Sequence, residues 1–265
     1  NLVHCHHCDF VMNPPEICPE CQSKRIKYFG AGTQQVEAAL QQFFPLARSL
    51  RWDSDTAAKA GQHDLILQRF LNHQADVLIG TQMIAKGLDL PLVTLVGVVS
   101  ADVGLSLPDF RSAERTFQLM TQVAGRAGRG LLGGKVILQT YQPENYAIQA
   151  ASKHDYRTFY EQEIVERYEL GYPPYRRLVR ILFRHEQESS AQMQAQQAEE
   201  ILMARLDDMM MFETSMIGPV PCFFQRVNRM YRWQIILRGP NPARVFDGMD
   251  IPGHWQVDVD PEDVL

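Results

Sequence analysis

The sequence predicts an α/β fold in two parts: a parallel sheet covered by helices and, after it, a small α+β layer of βαββαβ order. Three observations carry this. Short apolar runs at 76–80, 92–99 and 135–140 alternate with helix-period stretches at 34–44, 64–72 and 112–123, as expected of strands buried on both faces by crossover helices. Gly171-Tyr172-Pro173-Pro174 is punctuation strong enough to mark a boundary. Beyond it, strand-like runs at 178–183, 215–217, 231–237 and 255–259 enclose helical stretches at 191–210 and 242–249, which suggests a split βαβ, ferredoxin-like layer.

Taken in order, residues 4–22 are rich in Cys, His and Pro and lack apolar periodicity, so they form a knuckle or ribbon rather than a core element. The expected organisation is a partial zinc-binding, Cys-rich region at 1–27, the α/β domain at 28–150, a helical connector at 151–170 and the C-terminal domain at 171–265. Met209-Met210-Met211, at the end of the long helix, reads as adaptable core filling. Cys222, alone in an apolar stretch, reads as a core residue.

The bulk properties exclude several classes. With 45% hydrophobic and 22% charged residues the chain is of globular type. No window approaches the ~18 apolar residues of a membrane span, and no signal peptide opens the chain, so a cytoplasmic protein without a membrane partner is expected. A first residue Asn1 rather than Met implies an upstream part of a longer polypeptide. The net charge of −5 gives no overall attraction for nucleic acid, and any such binding must come from a local patch.

Three constellations carry chemistry. Cys5-His6-His7-Cys8 and Cys18-Pro19-Glu20-Cys21 are two CxxC pairs, and in a non-secreted chain such pairs favour zinc over disulfides or redox catalysis. Read alone, the four thiolates of Cys5, Cys8, Cys18 and Cys21 suggest one tetrahedral site, with His4, His6 and His7 expected to face solvent and able to substitute as ligands. Second, Gly80-Thr81-Gln82 follows a buried strand, where a hydroxyl and helix-start amides can take a phosphate. Gly87, Asp89 and Pro91 extend that loop with a carboxylate suited to a ribose hydroxyl. Downstream, Gln122-Val123-Ala124-Gly125-Arg126-Ala127-Gly128-Arg129-Gly130 sets Arg126 and Arg129 three residues apart among glycines, an arrangement suited to an arginine finger on a transferring γ-phosphoryl group. Third, Arg226, Arg229, Arg232, Arg238 and Arg244 occur without an acidic neighbour, alongside Phe223, Phe224, Tyr231 and Trp233. Arginines for phosphates and rings for bases suit single strands or junctions.

Together GTQMIAKGLDLP and QVAGRAGRG resemble motifs V and VI of superfamily 2 helicases, GTxxxxxGxDxP and QxxGRxGR. The chain as a whole, in the order CxxC, PPxxCPxC, Gly30-Ala31-Gly32-Thr33, GTQMIAKGLDLP, Pro108-Asp109-Phe110-Arg111-Ser112-Ala113-Glu114-Arg115, QVAGRAGRG, GYPPY, Tyr231-Arg232-Trp233-Gln234 and Val257-Asp258-Val259-Asp260-Pro261, resembles the C-terminal portion of the primosomal replication-restart helicase family.

That resemblance implies a second RecA-like motor lobe with a zinc-binding ribbon insert, in an ATP-dependent 3′ to 5′ DNA helicase that restarts stalled forks and initiates primosome assembly. It implies that Arg126 and Arg129 meet the ATP phosphates, that Gln122 helps organise the attacking water or the Walker loop, that Gly87 and Asp89 couple nucleotide to DNA, and that Thr81 and Gln82 face the translocated strand. The implied cofactors are two zinc ions in the full-length protein, with Mg²⁺ and ATP. The family's interleaved cysteines would assign Cys5 and Cys8 to one zinc and Cys18 and Cys21 to the other. The implied partners of the C-terminal domain, with Arg226, Arg229, Arg232, Tyr231 and Trp233 as its contacts, are forked or single-stranded DNA, single-strand-binding protein and other primosome proteins, and a monomer is expected. No GxxxxGK[ST] and no DExH motif occurs, so these 265 residues alone are expected to be inactive. The competing reading is a non-enzymatic zinc- and DNA-binding adaptor that retains a motor-lobe fold.

Overall fold

The computed structural model describes residues 3–4, 11–13, 15–17, 22–24, 32–53, 62–85, 90, 92–127 and 134–265. At the start, β1 (Val3–His4) pairs antiparallel with β2 (Val11–Met12). Cys5 and Cys8 fall between these strands in sequence. They, with Cys18 and Cys21, lie outside the described residues.

Next come α1 (Thr33–Phe43), β3 (Ser49–Trp52), α2 (Gln62–Leu71), β4 (Val77–Gly80) and α3 (Gln82–Ala85). β3 and β4 are parallel, in register from Ser49↔Val77 to Trp52↔Gly80. Their amino ends are pinned by one residue pair: Asp76 accepts from the Arg48 backbone N–H at 2.9 Å and from Nη2 at 2.7 Å. At the other end Gly80 has to be glycine, because a Cβ there would collide with the Trp52 carbonyl and the Ile84 side chain. β3 was not among the expected strands. Its Ser-Leu-Arg-Trp sequence lacks the apolar run that marks β4, since Arg51 is neutralised by an ion pair with Asp53 at 2.9 Å rather than excluded.

A second parallel pair joins β5 (Leu95–Val98) to β6 (Lys135–Leu138), with α4 (Asp102–Leu105) and α5 (Ser112–Ala127) between them. Asp102 closes this crossover, accepting from Thr140 Oγ1 at 2.9 Å and from the Tyr141 N–H at 3.1 Å. α5 buries Thr116, Phe117, Met120 and Val123, one stripe at helical spacing. Phe117 stacks on Phe159 at 4.3 Å. The expected connector helix is two helices, α6 (Tyr146–Ser152) and α7 (Tyr156–Leu170). The break falls at Asp155, whose carboxylate accepts from the Thr158 N–H and hydroxyl and so caps the start of α7.

The C-terminal sheet is built from β7 (Arg177–His185), β8 (Ser215–Val227), β9 (Met230–Gly239) and β10 (Gln256–Val259), with α8 (Glu188–Asp208) after β7. Its order is β10-β7-β9-β8, antiparallel throughout. α8 lays Ala191, Ala195, Ala198 and Leu202 against Val179, Ile181, Phe183, Ile235 and Leu237, small residues bringing the helix close to the sheet. Two sequence expectations change here. The strand expected at 215–217 continues to Val227, because β8 is an edge strand, where Pro219 and Pro221 cost no ladder bond on the solvent side. The helix expected at 242–249 is a 3-10 turn, Pro242–Phe246.

The chain divides into two compact units: residues 1–26, 106–113 and 160–265 in the first, and 27–105 and 114–159 in the second. The division departs from the expected 28–150 and 151–170 boundaries in placing 106–113 with the C-terminal residues.

Candidate functional site

In the second unit, the carboxyl ends of the parallel pair β3 and β4 collect the candidate groups, as crossover topology leads one to expect. Asp53, only 5% exposed, directly follows β3, and accepts from Thr33 Oγ1 at 2.6 Å. Glu37 extends this cluster, accepting from Ser49 Oγ at 3.1 Å and pairing with Arg51 at 3.4 Å. Thr81 and Gln82 directly follow β4 and are both exposed. Sequence reasoning selected Thr81 and Gln82 and missed Asp53, because the strand it follows carries no readable apolar run. Gly87 and Asp89 lie outside the described residues.

On α5, Gln122 is exposed while its neighbour Val123 is 7% exposed. Arg126 is on the last turn of the same helix, four residues on from Gln122, so the two positions share one side of it. The helix-period stretch expected at 112–123 runs on into the glycine-rich stretch. It is helical to Ala127, which gives Arg126 a defined helical position instead of a place in a loop. Arg129 lies outside the described residues.

In the first unit, the aromatic and arginine cluster stands on the β8–β9 hairpin. Its tip is the two-residue turn Asn228-Arg229, both at positive φ (50° and 67°), the geometry that matches the twist of paired strands. Across the strands Arg226 opposes Tyr231, and its guanidinium carbon lies 4.9 Å over that ring. Phe223 and Phe224 pack edge to face at 5.0 Å and are 40% and 50% exposed. The structure therefore brings together Arg226, Arg229 and Tyr231, with Phe223 and Phe224 close by in β8.

It separates the other two candidates from them. Alternation along β9 sends Tyr231 and Trp233 to one face and Arg232 to the other. Trp233 packs against the helix-side core. Arg232 donates to the Leu265 carbonyl at 3.0 Å and to that of Phe224 at 3.5 Å, and burial pushes its pKa down. Beside it Arg180, 7% exposed, donates to Gln234 Oε1 at 2.7 Å and to the Leu265 carbonyl at 2.6 Å. Gln234 Nε2 in turn donates to the Val264 carbonyl at 3.2 Å. This polar layer under the tail, residues 263–265, was not foreseen. Its sequence trace is a single Arg inside the otherwise apolar run of β7. Cys222 is buried there, 3.6 Å from Arg180 Nη2, and burial raises its thiol pKa.

Comparison with known proteins gives two family matches. Residues 17–130 match the helicase conserved C-terminal domain family, and residues 168–262 match the primosomal protein N C-terminal domain family. The chain is 47% identical over 236 residues to the replication restart protein PriA of Bacillus subtilis (strain 168), covering 89% of this chain and 29% of that protein. It is 45% identical over 247 residues to PriA of Synechocystis sp., covering 92% and 29%. With PriA of Haemophilus influenzae it shares 33% identity over 279 residues, covering 100% and 37%. The chain thus spans about a third of the length of these relatives. It belongs to the replication restart PriA family, of which it carries the helicase C-terminal domain and the primosomal C-terminal domain.

Proposed function

We propose that this chain supplies the second, RecA-like motor lobe and the DNA-contacting C-terminal domain of an ATP-dependent 3′ to 5′ DNA helicase that restarts stalled forks and initiates primosome assembly. The observation that carries the reading is the exposed Gln122 with Arg126 one turn on, at the end of α5, in a chain of the PriA family. Arg126 and Arg129 supply fixed positive charge to the transferring γ-phosphoryl group of ATP. Gln122 orients the attacking water. Thr81 and Gln82 meet the DNA backbone at the end of β4, and Gly87 and Asp89 link that contact to the nucleotide. The P-loop and acidic motif that hold ATP and Mg²⁺ come from outside these 265 residues, which alone hydrolyse no ATP.

On the C-terminal side, Arg226, Arg229 and Tyr231 contact forked or single-stranded DNA, with Arg232 and Trp233 supporting the hairpin. Single-strand-binding protein and other primosome proteins are its protein partners, and it works as a cytoplasmic monomer. Four thiols in two CxxC pairs are a donor set that suits zinc, and the β1–β2 hairpin that brackets Cys5 and Cys8 fits a metal-stabilised ribbon. When bound, zinc holds that ribbon folded and takes no part in phosphoryl transfer.

The test is ATP turnover by the full-length protein with forked DNA. Arg126→Ala and Arg129→Ala each lower the rate by about 10³ to 10⁵, the scale of an arginine finger. Undiminished turnover in both variants overturns the reading and favours a DNA-binding adaptor.

A further inference from the structure

Residues 106–113, which precede α5, belong to the compact unit of the C-terminal residues, and they are anchored there twice. The first anchor is polar. Asp109 is 9% exposed, and both carboxylate oxygens are used: Oδ1 accepts from the Arg111 N–H at 2.8 Å, and Oδ2 from the Val264 N–H at 2.9 Å. The Val264 carbonyl is itself held by Gln234, and the Leu265 carbonyl by Arg180 and Arg232. The tail that meets Asp109 is thus fixed to the C-terminal sheet.

The second anchor is aromatic. Phe110 stacks on Tyr172 with centroids 5.7 Å apart and planes 20° from parallel, the Arg167 guanidinium carbon lies 5.6 Å from the Phe110 centroid, and that of Arg238 lies 5.5 Å from the Tyr172 centroid. Both guanidinium groups are locked. Arg167 donates to Glu163 at 2.6 Å and to the Pro173 carbonyl at 3.3 Å, and Arg238 to the Leu170 carbonyl at 2.8 Å. A cation near each ring of the pair reinforces it electrostatically. This accounts for two sequence features with no place in the nucleotide or DNA sites, Pro108-Asp109-Phe110-Arg111 and Gly171-Tyr172-Pro173-Pro174.

The anchored segment leads without interruption into a helix. Ser112 N–H donates to the Asp109 carbonyl at 3.0 Å and Ser112 Oγ to that of Leu107 at 2.7 Å. Ser112 and Ala113, the first residues of α5, still belong to the C-terminal unit. Asp109 therefore fixes the start of the helix that later carries Gln122 and Arg126.

We propose that Asp109 and Phe110 are positioning residues that transmit DNA engagement by the C-terminal domain to the ATP-hydrolysing groups on α5. The proposal rests on the motor reading above. DNA held by the hairpin steadies the C-terminal sheet and its tail, and the Asp109 and Phe110 anchors pass that order to the start of α5. The Asp109 carboxylate and the Phe110 ring are engaged by Arg111, Val264, Tyr172 and Arg167, so their loss lowers the gain in ATP turnover caused by DNA and leaves DNA affinity intact.

The experiment uses the full-length protein and measures ATP turnover with and without saturating forked DNA, forked-DNA affinity by fluorescence anisotropy, and the thermal midpoint. Val264→Pro removes the N–H that Asp109 accepts without altering the helicase segment. Phe110→Ala removes the stack, and Phe110→Tyr keeps it. Because misplacement of a reacting group by ~1 Å costs ~10² in rate, Val264→Pro and Phe110→Ala should each lower DNA-stimulated turnover at least about tenfold. Basal turnover and DNA affinity should stay within about twofold of wild type, as should all readouts of Phe110→Tyr. Undiminished stimulation in Val264→Pro and Phe110→Ala overturns the proposal, and so does a parallel fall of basal rate, stimulated rate and thermal midpoint. A wild-type protein whose ATP turnover ignores DNA is a different failure, which removes the motor reading itself.

Discussion

Arg226 and Tyr231 face each other across the last pairs of the β8–β9 hairpin, with the guanidinium carbon 4.9 Å over the ring. A cation laid on an aromatic face keeps its charge and is held in place, so this end of the hairpin presents an ordered positive group beside exposed rings. Arg232, next to Tyr231 in sequence, points to the opposite face and is occupied by main-chain carbonyls.

These placements predict different salt dependences for neighbouring arginines. Arg226→Ala with Arg229→Ala should reduce the slope of log affinity against log salt for forked DNA by about 1 for each phosphate that is no longer neutralised. Arg232→Ala should leave the slope unchanged while lowering the stability of the sheet. Fluorescence anisotropy over a series of salt concentrations reads both, and an unaltered slope in the double variant would falsify the hairpin as the contact surface.

A second prediction concerns acid. Asp76 is held at about 2, chiefly by its hydrogen bonds from the Arg48 side chain and then by the Arg48 backbone N–H. An unfolded Asp titrates near ~3.9. Because the folded value is the lower one, the pair stabilises the β3–β4 end fully above pH ~4, and this stabilisation is lost as pH falls from ~4 to ~2. Unfolding curves of wild type and Asp76→Asn should therefore differ at neutral pH and converge near pH ~2. A constant difference down to that pH would show that Asp76 stabilises through something other than its charge.

Particular residues show what the sequence makes legible. Val77-Leu78-Ile79 and the Ala191, Ala195, Ala198 and Leu202 stripe follow the periods of strand and helix, so β4 and α8 can be read directly. β3 cannot, because Arg51 sits in it and its neutralising partners, Asp53 and Glu37, are identified only by folding. The same holds for the tail layer: nothing near Arg180 in sequence announces Gln234 or Leu265 as partners, 54 and 85 residues away. Among the candidate contacts, composition groups Arg232 and Trp233 with Tyr231. Only the alternation of β9 and the core packing of Trp233 tell them apart.

The close approach of α8 to the sheet yields a third prediction. Leu202 is fully buried among Val179, Ile181, Phe183 and Val245, whereas Met203, one residue on, is 53% exposed. Leu202→Ala should cost about 2–5 kcal/mol, through lost burial and the cavity left behind. Met203→Ala should stay within about 0.5 kcal/mol of wild type. With Trp52→Phe as background, Trp233 and Trp255 report on the C-terminal unit alone. Denaturant unfolding followed by their fluorescence then separates this unit's transition from that of the other. Equal costs at 202 and 203 would mean that α8 does not pack by the stripe described.

The last prediction decides between the two cysteine pairings. If Cys5, Cys8, Cys18 and Cys21 close a single site, this chain holds one zinc with the affinity of a structural four-thiolate centre, corresponding to about 10–16 kcal/mol of apparent binding free energy. If the two pairs belong to different ions, each pair here is half of a site whose other thiolates are supplied from elsewhere in the polypeptide, and coordination is completed by water. The interleaved arrangement expected for this family favours the second case. The 265-residue chain should then contain clearly less than one tightly held zinc and lose it to a mild chelator, while the full-length protein retains about two per chain. Metal analysis after dialysis against the chelator measures this, and stoichiometric retention of one ion by the 265-residue chain would establish the closed site instead.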